Sequence, residues 1–380
     1  MTFCDVSSFY TPTGGGIRTY HRAKLDWFSA QRDHQYYLLV PGPRHEVTRV
    51  STQAAMVTFY GAPVRAGYRL PLDLSGICRF IADLRPDVIE TGDPWISGPL
   101  GLWCRRKGYA TLLSSFYHSD PIATYFVPDD TETGLSVPLR RGLGDLAGGL
   151  LWYLQRRFDL TLTSSEWVEH MLISRGIDKT TRVPFGVDPA FFHVGRARRS
   201  RRLRTRLLYV GRLQADKGFD VLLDTLPELL QLPDVSVTVV GSGPLETSLR
   251  AISSPALRVE GFVSSRPSLA GVFAEHDVLL APGPYETFGL AALEGLAAGL
   301  SLVAPDAGGS AELLRALPSP HVFRRHDRTD FVRAVRDAVD ADGRDEADAA
   351  VGLAEQYGTW SDAIARQVEV YCNCLSRCTT

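Results

Sequence analysis

Short apolar runs alternate with helical patterns along nearly the whole chain, and this alternation limits the accessible folds more than any other feature. Strand-like segments read at Tyr36–Val40, Asp87–Glu90, Ala110–Phe116 and Leu160–Thr163, and again at Arg206–Val210, Val235–Val240, Val278–Ala281 and Ser301–Ala304. Helical spacing fills the intervals, as in Ile17–Ala30 and Phe219–Leu230. Such a series folds as right-handed β-α-β units around parallel sheets. At 380 residues the chain is longer than the ~250–300 at which a single core stops growing, so two sheets in two domains are expected.

The break is expected after Gly186-Val187-Asp188-Pro189, because Arg196 to Arg206 then holds seven arginines among eleven residues. A run so poor in apolar residues builds no core and reads as a linker. The expected domains are residues 1–190 and 191–358. The closing segment Thr359–Cys372 places Trp360, Ile364, Val368 and Tyr371 at helical spacing, and no strand follows it. Residues 359–380 are therefore expected to return across the junction to the first domain.

The net charge is −2, which gives no general attraction to nucleic acid. No apolar run approaches the ~18–20 residues that span a bilayer, and the opening residues lack a signal peptide's basic start and long apolar centre. Of the six cysteines, Cys4, Cys78 and Cys104 are scattered and Cys372, Cys374 and Cys378 crowd the end. A reduced, cytoplasmic chain is expected. The arginine run has two readings. It is a solvated linker, or, with Arg105-Arg106-Lys107 and Arg140-Arg141, a patch for anionic lipid at roughly 1 kcal/mol per basic residue.

Four segments carry chemistry. In Glu286-Thr-Phe-Gly-Leu-Ala-Ala-Leu-Glu294, a helix expected over Phe288–Ala298 places Glu286 on the preceding loop. The amides of Phe288, Gly289 and Leu290 then lack intrahelical acceptors beside the positive end of the helix dipole. Glu294 lies roughly 12 Å from Glu286 if the segment is helical throughout. The plainer alternative makes Glu286 a capping acid and Glu294 a solvated residue. Second, Gly211-Arg212 through Lys217-Gly218 follows a strand, where Arg212 offers a planar fork to phosphate and Lys217 a mobile point charge. Third, Gly14-Gly15-Gly16 precedes a helix and lets backbone amides approach a ligand, or is simply a flexible turn. Fourth, His118 stands just past a buried strand. The aspartates Asp129-Asp130 and Asp340-Ala-Asp342 look like solvated surface and make poor metal ligands.

Together these residues resemble the retaining glycosyltransferases of family 4, along nearly the whole chain. The resemblance includes Gly14-Gly15-Gly16, His118-Ser-Asp120, Pro184-Phe-Gly-Val-Asp188, Gly211-Arg212 through Lys217-Gly218, Val240-Gly-Ser-Gly-Pro244, Gly261-Phe-Val263 and the Glu286–Glu294 pair, in family order. It implies a GT-B fold: two Rossmann-like, doubly wound parallel-sheet α/β domains facing an interdomain cleft, with the Trp360 helix crossing back to the first. The chain departs from the family pattern at Pro282-Gly-Pro-Tyr285, where Pro-Ser often precedes the first glutamate, and at Phe185, where asparagine is common.

By that resemblance Arg212 and Lys217 hold the donor diphosphate, with Gly15 and Gly16 closing on it. Glu294 takes the ribose hydroxyls, and Val263 with Gly261 lies near the base. Glu286 and the amides of Phe288, Gly289 and Leu290 hold the donor sugar, and His118 lines the reacting centre. The implied reaction transfers a hexose from a nucleotide-diphosphate sugar with retention, without metal or other cofactor. GDP-mannose is the expected donor and a glycolipid or lipid-linked saccharide the expected acceptor, with peripheral contact to an anionic membrane. The alternatives are a UDP-sugar-dependent glucosyl-type transferase, a nucleotide-sugar epimerase, a hydrolase using the two glutamates as an acid–base pair, and a silent nucleotide-sugar-binding protein.

Overall fold

The computed structural model describes residues 1–11, 14–64, 67–122, 126, 136–197, 205–341 and 343–378. The chain forms two compact units, Met1–Val183 with Trp360–Thr380, and Pro184–Thr359. Their boundary precedes the expected one because residues 184–197 pack within the second unit. The Phe185 ring lies 5.2 Å from Phe288, and Phe191 lies 5.1 Å from Phe273. Val187 donates its N–H to the Gly358 carbonyl at 3.0 Å, so the segments entering and leaving this unit run side by side. Of the arginine run, residues 198–204 lie outside the described residues, and Arg196 falls in the helix Pro189–Ala197.

In the first unit, β1 (Thr2–Val6), β2 (Gln35–Gly42), β6 (Val88–Thr91), β7 (Leu112–Phe116), β8 (Leu160–Thr163) and β9 (Thr180–Arg182) are joined by β3 (Glu46–Arg49), β4 (Ala54–Pro63) and β5 (Arg69–Pro71). The order is β3-β4-β2-β1-β6-β7-β8-β9, with β5 also on β4. All pairings are parallel except β3 and β5 against β4, so one edge of this sheet is mixed. The chain builds outward from β1 to β2 and resumes on the other side at β6, which makes the β1/β6 boundary a switch point.

Two carboxylates, Asp5 on β1 and Glu90 on β6, are register partners there. Adjacent like charges repel, and both side chains are buried. The Lys24 ammonium offsets this, with Nζ 2.6 Å from Asp5 Oδ2 and 3.2 Å from Glu90 Oε2. Tyr36 donates to Asp5 at 2.8 Å and Tyr20 to Glu90 at 2.7 Å. The closing helix, Trp360–Cys378, adds Gln367 and Tyr371, which also donate to Glu90. Hydrogen bonds therefore fasten that helix to the centre of the first sheet.

The second unit is simpler. Its strands are β10 (Thr205–Val210), β11 (Val235–Val240), β12 (Leu257–Glu260), β13 (Val278–Leu280), β14 (Ser301–Pro305) and β15 (His321–Phe323). All are parallel, in the order β12-β11-β10-β13-β14-β15. Leu207, Tyr209, Val237, Val239 and Leu280 form the core with Phe219, Leu222, Phe331 and Val335 of the helices Phe219–Leu229 and Arg328–Asp340. The winding direction reverses between β10 and β13, the place where open parallel sheets receive ligands beyond their carboxyl ends.

Lys24→Ala should destabilise the first unit by about 3–5 kcal/mol, since it leaves two adjacent buried carboxylates without their cation. Urea denaturation followed by circular dichroism measures this. A loss below about 1 kcal/mol would mean the cluster contributes no more than a surface pair.

Candidate functional site

The loops leaving β10 and β13 meet at the reversal. Gly218, with φ 65°, makes this possible: a Cβ there would stand 2.2 Å from the Pro282 carbonyl oxygen. Its neighbour Lys217 reaches across to Glu286, with Nζ 2.8 Å from Oε1 and each side chain 28% exposed. Arg212, half exposed, turns back onto Asp216, Nη2 to Oδ2 at 2.9 Å. The structure thus brings together Arg212, Lys217 and Glu286, and adds Asp216, which the sequence reading did not single out.

The helix following Glu286 spans Leu290–Ala297, two residues shorter at its start than expected. Gly289 is its N-cap at φ 86°, where a Cβ would strike Ser310 Oγ at 2.3 Å, so a left-handed glycine ends the loop there. Phe288 is buried, and Gly309 donates its N–H to the Glu286 carbonyl at 2.7 Å, which fixes this loop against the next helix. The amides at the start of the Leu290–Ala297 helix still face an anion favourably. Because Phe288 and Gly289 are not helical, the separation of Glu286 and Glu294 no longer follows from helical rise.

Glu294 is not the solvated residue of the plainer reading: it is 3% exposed. Burial raises its carboxyl pKa, opposed by the Arg266 guanidinium, whose Nη2 contacts Glu294 Oε1. Arg266 also escaped the sequence reading, although Ser265-Arg266-Pro267 has the form of a helix start; Ser265 caps the helix Arg266–Ala274. Val263, half-buried, and Gly261, exposed, lie on the loop after β12.

In the first unit, His118 stands two residues beyond β7, as expected. Its ring stacks on Phe116 at 4.7 Å and meets Tyr20 edge-on at 4.7 Å. Desolvation, with His21 and Lys24 nearby and Glu90 opposing, lowers its pKa to about 3. His21, whose buried Nδ1 is 3.3 Å from Asp5 Oδ2, is likewise lowered to about 3, chiefly by burial. Both imidazoles are neutral near pH 7. Gly15 caps the helix Gly16–Ser29 with open space where a side chain would stand, and both Gly15 and Gly16 are exposed.

Of the acidic candidates set aside, Asp129, Asp130 and Asp342 lie outside the described residues, and Asp340 ends the helix Arg328–Asp340. Within the basic groups, Arg105 is paired to Asp159 at 3.0 Å. The helix Ser136–Gln155 exposes Leu143, Leu146, Leu150 and Tyr153 at helical spacing, with Leu146 at 74%. No helix among the described residues is long and apolar enough to cross a membrane.

Residues 14–191 match the family described as Glycosyltransferase Family 4, and residues 204–341 match Glycosyl transferases group 1. The chain is 31% identical to the GDP-mannose-dependent alpha-(1-6)-phosphatidylinositol dimannoside mannosyltransferase of Mycobacterium tuberculosis H37Ra, covering 96% of this chain and 94% of that protein. It is 30% identical to a glycogen synthase of Mycobacterium tuberculosis CDC 1551, over 70% of this chain and 63% of that one. Among solved structures, a sucrose-phosphate synthase from Thermosynechococcus elongatus superposes with TM-score 0.77 at 17% identity, covering 99% of this chain and 100% of its own. That likeness establishes the GT-B fold.

The neutral histidines make stability pH-dependent. Their folded pKa values lie below the unfolded value, so the unfolded chain binds more protons and stability falls as pH drops from about 6.5 towards 3. Thermal melts should show a lower Tm at about pH 5 than at about pH 7, with a smaller loss in the His21→Asn/His118→Asn variant. An identical loss in both proteins would contradict the assignment.

Proposed function

The chain belongs to glycosyltransferase family 4 and is a glycosyltransferase, and from that premise we propose that it moves mannose from GDP-mannose to a hydroxyl of a glycolipid or lipid-linked saccharide, with retention of configuration. The meeting of Arg212, Lys217, Glu286 and a helix N-terminus at the carboxyl ends of β10 and β13 is the observation that supports this reading most strongly. A leaving diphosphate gathers negative charge. Arg212 and Lys217 exchange their carboxylate partners for its oxygens, and fixed charges of this kind are usually the largest catalytic contribution. Glu286, released from Lys217, accepts hydroxyls of the sugar, while the amides of Phe288, Gly289 and Leu290 face its polar groups. Glu294 takes the ribose, and Val263 borders the base.

From the first unit, the same reading takes Gly15, Gly16 and His118 as ligand-contacting residues. A neutral imidazole accepts or donates a hydrogen bond to a hydroxyl without adding charge to the developing cation at the anomeric carbon. In the retaining reaction the acceptor attacks the face the diphosphate leaves, and a phosphate oxygen takes the acceptor proton. The protein's cations neutralise the diphosphate, so no metal is required. The similarity to a GDP-mannose-dependent enzyme favours mannose, whereas the similarity to a glycogen synthase keeps a glucosyl donor as the second reading. The exposed apolar stripe of the Ser136–Gln155 helix, with Arg140, Arg141, Arg156 and Arg157 near its ends, favours a lipid acceptor reached from a membrane surface.

GDP-mannose and UDP-glucose, each assayed with and without a mannosylated phosphatidylinositol acceptor, test the reading. GDP-mannose turnover that needs the lipid is expected, and UDP-glucose turnover alone would replace it with the second reading. Arg212→Ala and Lys217→Ala should weaken nucleoside-diphosphate binding measured by calorimetry. Glu286→Ala and His118→Ala should lower turnover by ~10²-fold with much smaller effects on nucleotide affinity, because they misplace the reacting groups. Near wild-type turnover in both would remove them from the catalytic centre. Activity should also persist in EDTA; its loss there and recovery with Mg²⁺ would contradict metal-independent transfer.

A further inference from the structure

Glu294 does not stand alone. We infer that Arg266 is a positioning residue for the donor nucleotide: it clamps Glu294 by one oxygen and presents the other to the ribose hydroxyls. The inference rests on the donor reading above and adds to it a residue outside the diphosphate and sugar contacts.

The geometry begins at the start of the helix Arg266–Ala274, where Ser265 accepts the Ser268 N–H at 3.4 Å and fixes the first turn. The guanidinium lies over the Phe191 ring, 4.8 Å from its centroid, and Phe191 is itself fully buried against Phe273. A cation held over a rigid, buried ring has little freedom to swing away. From that position Nη2 contacts Glu294 Oε1, and Nε stands 3.9 Å from Asp188 Oδ2. Asp188 is fixed in turn by the Ala190 N–H, which donates to its Oδ1 at 2.9 Å.

The contacts on Glu294 are one-sided. Oε1 is engaged by Arg266, whereas no described residue hydrogen-bonds Oε2. The charged groups facing the carboxyl are Arg266, from the earlier helix Arg266–Ala274, and Asp188, from the segment entering the unit. Burial and Asp188 push the carboxyl towards its neutral form; Arg266 alone pulls it back. A neutral carboxylic acid is a weaker acceptor for two ribose hydroxyls than a carboxylate, since charge-assisted hydrogen bonds are roughly twice as strong. Without Arg266, therefore, Glu294 loses the contact that fixes its rotamer and the cation that favours its charged form, and the effect grows as pH falls.

The test uses ligands that differ only in the ribose. GDP and 2′,3′-dideoxy-GDP are titrated into the full-length wild type, Arg266→Met, Arg266→Lys and Glu294→Ala at about pH 8.5 and about pH 6.5, with the UDP pair as the alternative set and pyrophosphate as the ribose-free control. Wild type should prefer GDP over its dideoxy analogue by roughly tenfold or more, the size expected for hydrogen bonds to a charged group. Arg266→Met should bring that preference to within about threefold, more so at the lower pH, while pyrophosphate binds as in wild type. Arg266→Lys keeps a cation near Oε1 and should retain most of the preference. A preference undiminished in Arg266→Met overturns the inference. So does a loss that pyrophosphate shares, which marks a general structural defect. If Arg266→Met does not fold, Arg266→Gln decides, and a ribose preference equal to that of wild type contradicts the positioning role. The donor reading fails separately, by wild type binding neither nucleotide pair or by Glu294→Ala keeping the full preference.

Discussion

All six strands of the second sheet run in one direction, and the rest of the account depends on that. Parallel pairing sends the loops after β10, β11, β12, β13 and β14 to the same edge. The reversal of winding between β10 and β13 then leaves two of those loops side by side with no helix between them. Lys217 and Glu286 are 69 residues apart in sequence, yet the topology puts them 2.8 Å apart. The absence of a side chain at Gly218 completes the approach, because a Cβ there would meet the Pro282 carbonyl.

The cations of this edge are already answered by the protein's own acids: Arg212 by Asp216, Lys217 by Glu286 and Arg266 by Glu294. The first two pairs are partly exposed, and on the proposed reading they exchange onto a diphosphate and a sugar at modest cost, since surface ion pairs contribute only ~0–1 kcal/mol. The third differs. Glu294 is buried, so breaking its pair would leave the carboxyl without its cation, which makes Arg266 the most firmly held of the three. In the first unit the buried Asp5–Lys24–Glu90 cluster has the corresponding fixed character, joining the first sheet to the closing helix.

Much of this was legible in the sequence. Short runs of apolar and β-branched residues gave buried strands: Val235–Val240 and Leu160–Thr163 match residue for residue. The edge strands escaped for a physical reason. β3 is exposed at every position and so carries no apolar pattern, while β12 and β15 are short and only partly buried. The shorter helix after Glu286 escaped because Phe288 has the apolar character of a helix residue, whereas Gly289 adopts a left-handed conformation that composition alone does not require. Partners were the least legible. Asp216 and Arg266 look like ordinary surface charges until the fold supplies their neighbours, and nothing in the spacing of Lys24, Asp5 and Glu90 announces that they share one buried cluster.

The central claim is that the β10 and β13 loops of the second unit receive the donor. Backbone hydrogen exchange of the full-length protein, with and without saturating GDP-mannose, tests it most directly. The account predicts that donor slows exchange in peptides containing Gly211–Lys217 and Phe288–Leu290, where the diphosphate and sugar would bind amides and their flanking side chains. Protection confined to other segments, with these two unchanged at saturation, would contradict it.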